Sequence, residues 1–132
     1  MSLEDKNKQE LGEINSYIKE IATKYGAQEW CFRSEDSAEA LPPKTPRFIE
    51  VNVQDDYGIR LYCIRLGPGI VVLLNGNRKT TQKVNDCPLC SPHFKIARRL
   101  STKINYAIAE QQIALNHISN EITIEDDFEL SI

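Results

Sequence analysis

A chain of 132 residues is long enough to bury one hydrophobic core and too short for two, so a single domain spanning 1–132 is expected. With 41% hydrophobic and 27% charged residues it has the composition of an ordinary folded protein, and its longest apolar run, IVVLL at 70–74, is far below the ~20 residues of a transmembrane helix. A net charge of −3 and a pI near 5.4 exclude a protein that coats nucleic acid indiscriminately.

Residues 4–25 read as an amphipathic helix, because Leu11, Ile14, Ile18, Ile21 and Tyr25 recur at helical spacing. Ser2, with Asp5 three residues on, supplies its start, and Gly26 its end, giving an N-terminal helical unit over 1–26. Trp30-Cys31-Phe32 is either a short strand or a packed loop. Ser34-Glu35-Asp36 is expected to open a helical turn, and Pro42, Pro43 and Pro46 forbid helix beyond it. Residues 48–53 alternate as a strand does, and Asp55-Asp56-Tyr57-Gly58 makes a turn. Two β-rich runs, 59–66 and 70–74, are joined by Gly67-Pro68-Gly69 and form a hairpin. The sheet is therefore expected to be at least a three-stranded antiparallel meander.

After a loop over 83–91, a long helix is expected from about Pro92 toward Asn116. Its apolar stripe is Ile96, Leu100, Ile104 and Ala107/Ile108, and Lys95, Arg98, Arg99 and Lys103 crowd its first half. The acidic tail, 118–132, reads either as an edge strand or as a segment that orders on a partner. The expected fold is α+β: a small antiparallel sheet with helices packed on one face and the other face open to a ligand. With no apolar leader, the expected location is the cytoplasm, where Cys31, Cys63, Cys87 and Cys90 would be thiols or metal ligands rather than a disulfide frame.

Charge is sharply segregated. Residues 1–43 hold 5 basic and 9 acidic residues, 44–106 hold 11 and 4, and 107–132 hold none and 6. A basic centre between acidic flanks suits an anionic ligand, nucleic acid first; the alternative is a sheet edge protected by charge. Strand alternation places Arg60, Tyr62 and Ile64 on one face and Leu61, Cys63 and Arg65 on the other. Arg78 and Lys79, expected just past the second strand, join Arg60 and Tyr62 around a phosphate, with Lys83 close by. Arginine suits that task because its planar fork donates two parallel hydrogen bonds. Lys95, Arg98, Arg99 and Lys103 extend the basic surface toward nucleic acid.

Cys87-x-x-Cys90-x-x-His93 has zinc-ligand spacing, but a closed site needs a fourth ligand from Cys31, Cys63 or His117. The same residues read as plain loop thiols or as a Cys-x-x-Cys redox pair. His93 reads either as a helix-start histidine or as an acid–base group.

The words Arg60-Leu61-Tyr62, Val71-Val72-Leu73-Leu74, Asn75-Gly76-Asn77-Arg78-Lys79-Thr80 and Ala97-Arg98-Arg99…Tyr106, in that order, resemble the RelE/ParE/HigB superfamily of bacterial toxins, most of all its HigB-like, phage-derived branch. The resemblance covers 48–106. It implies a type II toxin–antitoxin toxin that cuts messenger RNA on the ribosome without a metal, a 2′-hydroxyl attacking the adjacent phosphate. Arg60, Arg78 and Lys79 would stabilise the phosphate, and Tyr62, Lys83 or His93 would move protons. It also implies a cognate antitoxin of helix-turn-helix type. Related alternatives are a gyrase-directed toxin or an inactive phage remnant of the same fold; a zinc-containing nucleic-acid-binding module is a third.

Overall fold

Ser2 caps the first helix as its spacing to Asp5 implies. The Asp5 N–H donates to Ser2 Oγ at 3.1 Å, and α1 (Leu3–Glu20) begins there. The computed structural model describes residues 2–44 and 57–131. α1 widens into a π-turn over Ile21–Tyr25, which Gly26 ends at φ 71° with its N–H on the Ile21 carbonyl. Ile14, Tyr17 and Ile21 are buried, whereas Leu11 and Tyr25, expected on the same stripe, are 50% and 39% exposed. The π-turn explains Tyr25: its wider winding rotates the last residues of the helix off the apolar stripe.

A 3-10 turn over Glu29–Cys31 leads into β1 (Arg33–Glu35), which turns through Asp36 and Ser37 into β2 (Ala38–Leu41). The helical turn expected at 34–36 is thus a hairpin. Asp36 adopts φ 59°, a conformation that short polar side chains tolerate. β3 (Gly58–Gly67) and β4 (Ile70–Lys79) form the hairpin expected around Pro68-Gly69, but β4 runs on to Lys79 rather than ending at Leu74. The sheet order is β1-β2-β3-β4, antiparallel throughout. The strand expected at 48–53 and the turn at 55–56 lie outside the described residues.

α2 (Ser91–Ala109) stops well before Asn116. Gln111 turns the chain at φ 63°, and β5 (Ile113–Asn116) pairs antiparallel with β6 (Glu121–Ile124) in a separate two-stranded sheet. The acidic tail therefore holds a strand, and Phe128 beyond it packs beside α2.

The α+β class and the antiparallel sheet stand as expected, but the two helices do not share a face. Ile14 of α1 and Ile21 of its π-turn meet Leu41, Cys63, Leu61 and Val71, whereas Phe94 and Ala97 of α2 meet Ala38, Ala40 and Tyr62 on the opposite side. Further along, Ile104 and Ala107 of α2 meet Ile64, Val72 and Leu74. The cause lies in β3: Tyr62, Cys63 and Ile64 are consecutive and all buried, so both faces of that strand demand an apolar cover. α2 is also rotated from its expected stripe. Phe94, Ala97, Ser101, Ile104 and Ala107 face inward, and Ile96 is 39% exposed. Small residues on both sides, Ala97 and Ser101 against Ala38 and Ala40, permit close approach, and the Ser101 hydroxyl donates to the Ser37 carbonyl.

Candidate functional site

One extra residue in β4 decides where the basic residues go. Cys63 pairs with Leu73 and Leu61 with Gly76, so β3 advances two positions while β4 advances three. Such a bulge inverts the side-chain parity of everything after it. Before the bulge, Val72 and Leu74 face α2; after it, Arg78 lies opposite Ile59 and so faces α1. Lys79 lies opposite Gly58, on the side of Arg60 and Tyr62. Gly76 makes the crossing possible, since a Cβ there would fall well inside contact distance of the Arg60 carbonyl oxygen.

The expected phosphate set is thereby divided. Arg78 is gripped by α1: its Nε donates to Asn7 Oδ1 at 3.0 Å, and its Nη2 donates to Asn7 Oδ1 at 2.6 Å and pairs with Glu10. Arg60, Tyr62 and Lys79 come together on the α2 side, but inside the protein, 1%, 0% and 6% exposed. Arg60 donates to the carbonyls of Tyr57 and Ile59 at 3.4 and 3.3 Å, and Lys79 to that of Gln82 at 2.7 Å. Arg65, on the α1 side as its parity implies, donates to the Ala27 carbonyl.

Two residues not singled out from sequence join this interior group. Pairing of Arg33 with Ala40, which itself pairs with Tyr62, and of Glu35 with Ala38 puts both on the α2-facing side. Arg33 is buried, and its Nε donates to the Pro42 carbonyl at 3.2 Å. Burial raises the Glu35 carboxyl above its ordinary range, opposed by the positive charges of Arg33, Lys79 and Arg60. The i, i+2 spacing of Arg33 and Glu35 carries the signal, but a strand of three residues is too short for its period to stand out from that of a helical turn.

Cys87 and Cys90 close the same region from the N-terminal end of α2. The Cys87 sulfur accepts the Thr80 N–H at 3.4 Å and lies 3.6 Å from the Thr80 hydroxyl and from the Arg78 carbonyl. Cys90 donates to the Asn77 carbonyl at 3.3 Å. Burial would raise the Cys87 thiol, but hydrogen bonds from the N–H groups of Thr80, Cys90 and Leu89 and the Thr80 hydroxyl outweigh it and bring it down to about 7. Burial, then the neighbouring Cys87, pushes Cys90 up to about 11. His93 is half-buried on the first turn of α2. Among the described residues no group of three or more His, Cys, Asp or Glu side chains converges.

A cluster of positive charge lies on α2. Lys95, Arg98, Arg99 and Lys103 line a surface groove of about 590 Å³ with Asp36, Ser37 and Thr102. Arg98 pairs with Asp36 at 2.9 Å and stacks over the Phe94 ring at 5.4 Å, while Lys103 donates to the Ser131 carbonyl in the tail. Lys83 is exposed in the loop before α2. Among the described residues no helix is long and apolar enough to cross a membrane. Compared with protein-family models, curated proteins and solved structures, the chain matches none.

Proposed function

We propose that the protein is a type II toxin of the RelE/HigB kind that engages messenger RNA on the ribosome through the exposed face of α2. The observation that supports this most directly is the run Lys95, Arg98, Arg99 and Lys103 around one groove. At about 1.5 Å of rise per residue, these cations extend over roughly 12 Å, enough to meet successive phosphates of one strand. Cleavage in this reading is in-line attack of a 2′-hydroxyl on the adjacent phosphate, with positive charge offsetting the charge that develops there. Lys83 and His93 are the members of the expected set with surface exposure at or just before α2, so they are the groups assigned to phosphate and proton, while Arg78 is held on the α1 side by Asn7 and Glu10. Arg60, Tyr62 and Lys79 support β3 and β4 from within. That burial also favours a second reading, a toxin of the same kind that binds its target without cutting it.

Inducible expression in a bacterium, with growth followed and transcript 5′ ends mapped, tests both. The first reading expects growth arrest with new 5′ ends in translated messages, relieved by a partner antitoxin and lost in Arg98→Glu/Arg99→Glu. Arrest without new ends selects the second. Normal growth with folded wild-type protein removes both.

A further inference from the structure

The geometry points to Cys87 and Cys90 as a redox-active dithiol, a modification site that closes to a disulfide under hydrogen peroxide and reopens under a thiol reductant. The two cysteines are separated by two residues at the entry to α2 and contact the end of β4 at Asn77 and Arg78, and Thr80 just past it. Their side chains interact directly with one another. The wholly buried Tyr62 hydroxyl, which makes no hydrogen bond of normal geometry, faces the Cys90 thiol. The surroundings assign different roles to the two sulfurs. Cys87 accepts N–H groups from Thr80, Leu89 and Cys90, which favours the thiolate and makes it the attacking group. Cys90, held as a thiol beside the Tyr62 donor, is the resolving group.

The chemistry balances in two steps. The Cys87 thiolate attacks one peroxide oxygen, the O–O bond breaks, hydroxide leaves, and Cys87 becomes a sulfenic acid. Cys90 then attacks that sulfur, the S–S bond forms, and the sulfenic oxygen departs as water. The Cys90 proton leaves with the sulfenic oxygen, and the hydroxide takes up the proton that Cys87 shed on ionising, so two thiols lose two electrons and peroxide becomes two waters. Closure also removes the Cys90 S–H that donates to the Asn77 carbonyl near the end of β4. Both cysteines are buried, so peroxide reaches them only when the exposed Pro88-Leu89 loop between them opens.

The test uses the reduced full chain, treated folded with hydrogen peroxide and then alkylated in denaturant for mass analysis. The expected result is loss of two of the four thiols, a cross-linked Cys87–Cys90 peptide, and recovery of all four by dithiothreitol. Cys90→Ser is expected to trap a sulfenic acid on Cys87 that reacts with dimedone, and Cys87→Ser to give neither product. The wild-type measurement decides the matter even where a variant fails to fold. Retention of all four thiols, a disulfide at Cys31 or Cys63 instead, or a purified protein holding one zinc per chain on the pair would each overturn the proposal.

Discussion

Tyr62 lies at the centre of the sheet with its hydroxyl toward a thiol. Burial, reinforced by Cys90, pushes its ionisation well above the ordinary tyrosine range. Because sulfur is a weak partner, Tyr62→Phe is expected to change stability by less than about 1 kcal/mol. Tyr62→Ala, which opens a cavity, is expected to cost about 3–5 kcal/mol, and urea denaturation separates the two. Cys87 gives a pH dependence whose sign is set by its shift. With a folded value of about 7 against an ordinary 9.0, the unfolded chain holds the proton more tightly. Stability is expected to rise with pH across that window, fully gained above about 9 and lost as pH falls through about 7. Urea midpoints in reductant at the two ends of the window should differ for the wild type and draw together in Cys87→Ser; an equal rise in both would remove Cys87 as the cause. At this scale the alternation of β3 was legible, since Arg60 and Tyr62 do oppose Leu61 and Cys63. That Tyr62 would be covered was not, because its cover, α2, is distant in sequence.

Elements were legible where local chemistry ends them. The Ser2 cap, the Gly26 stop and the Pro68-Gly69 turn sit where the sequence puts them. The β4 bulge was not legible, for it is a mismatch between two strands and belongs to neither alone. Gly76→Ala is expected to cost at least about 2 kcal/mol, because the added carbon meets backbone rather than a flexible side chain. A variant as stable as wild type in thermal unfolding would show that the bulge relaxes freely. Arg78→Ala is expected to cost about 1–3 kcal/mol through the loss of its charged hydrogen bonds to Asn7 and Glu10. The same change should increase hydrogen exchange in α1; unchanged exchange there would mean that the arginine does not tether the helix.

For the molecule as a whole, charge segregation was readable from composition, and its spatial result is a basic α2 beside an acidic terminal arm. All four residues of β6 are exposed, whereas Phe128 packs next to α2. Deleting 121–132 removes five carboxylates and frees Lys103 from the Ser131 carbonyl. The expected outcome is a folded protein of somewhat lower melting temperature that binds a short single-stranded RNA more tightly at low salt, the gain vanishing at high salt. Unfolding of the truncated chain would make the arm part of the core; unchanged affinity would remove its shielding role. The placement of a helix on each sheet face also bears on how the chain leaves the ribosome. Residues 33–79 emerge with α1 already available for one face, while Tyr62 and Ile64 await a helix that ends only at Ala109. At synthesis rates of about 5–20 residues per second, that interval is roughly 2–6 s. During it the nascent chain leaves the apolar part of that face, Tyr62, Ile64, Val72 and Leu74, uncovered, so the order of translation makes a chaperone, or any early-binding apolar partner, a competitor of the protein's own last helix.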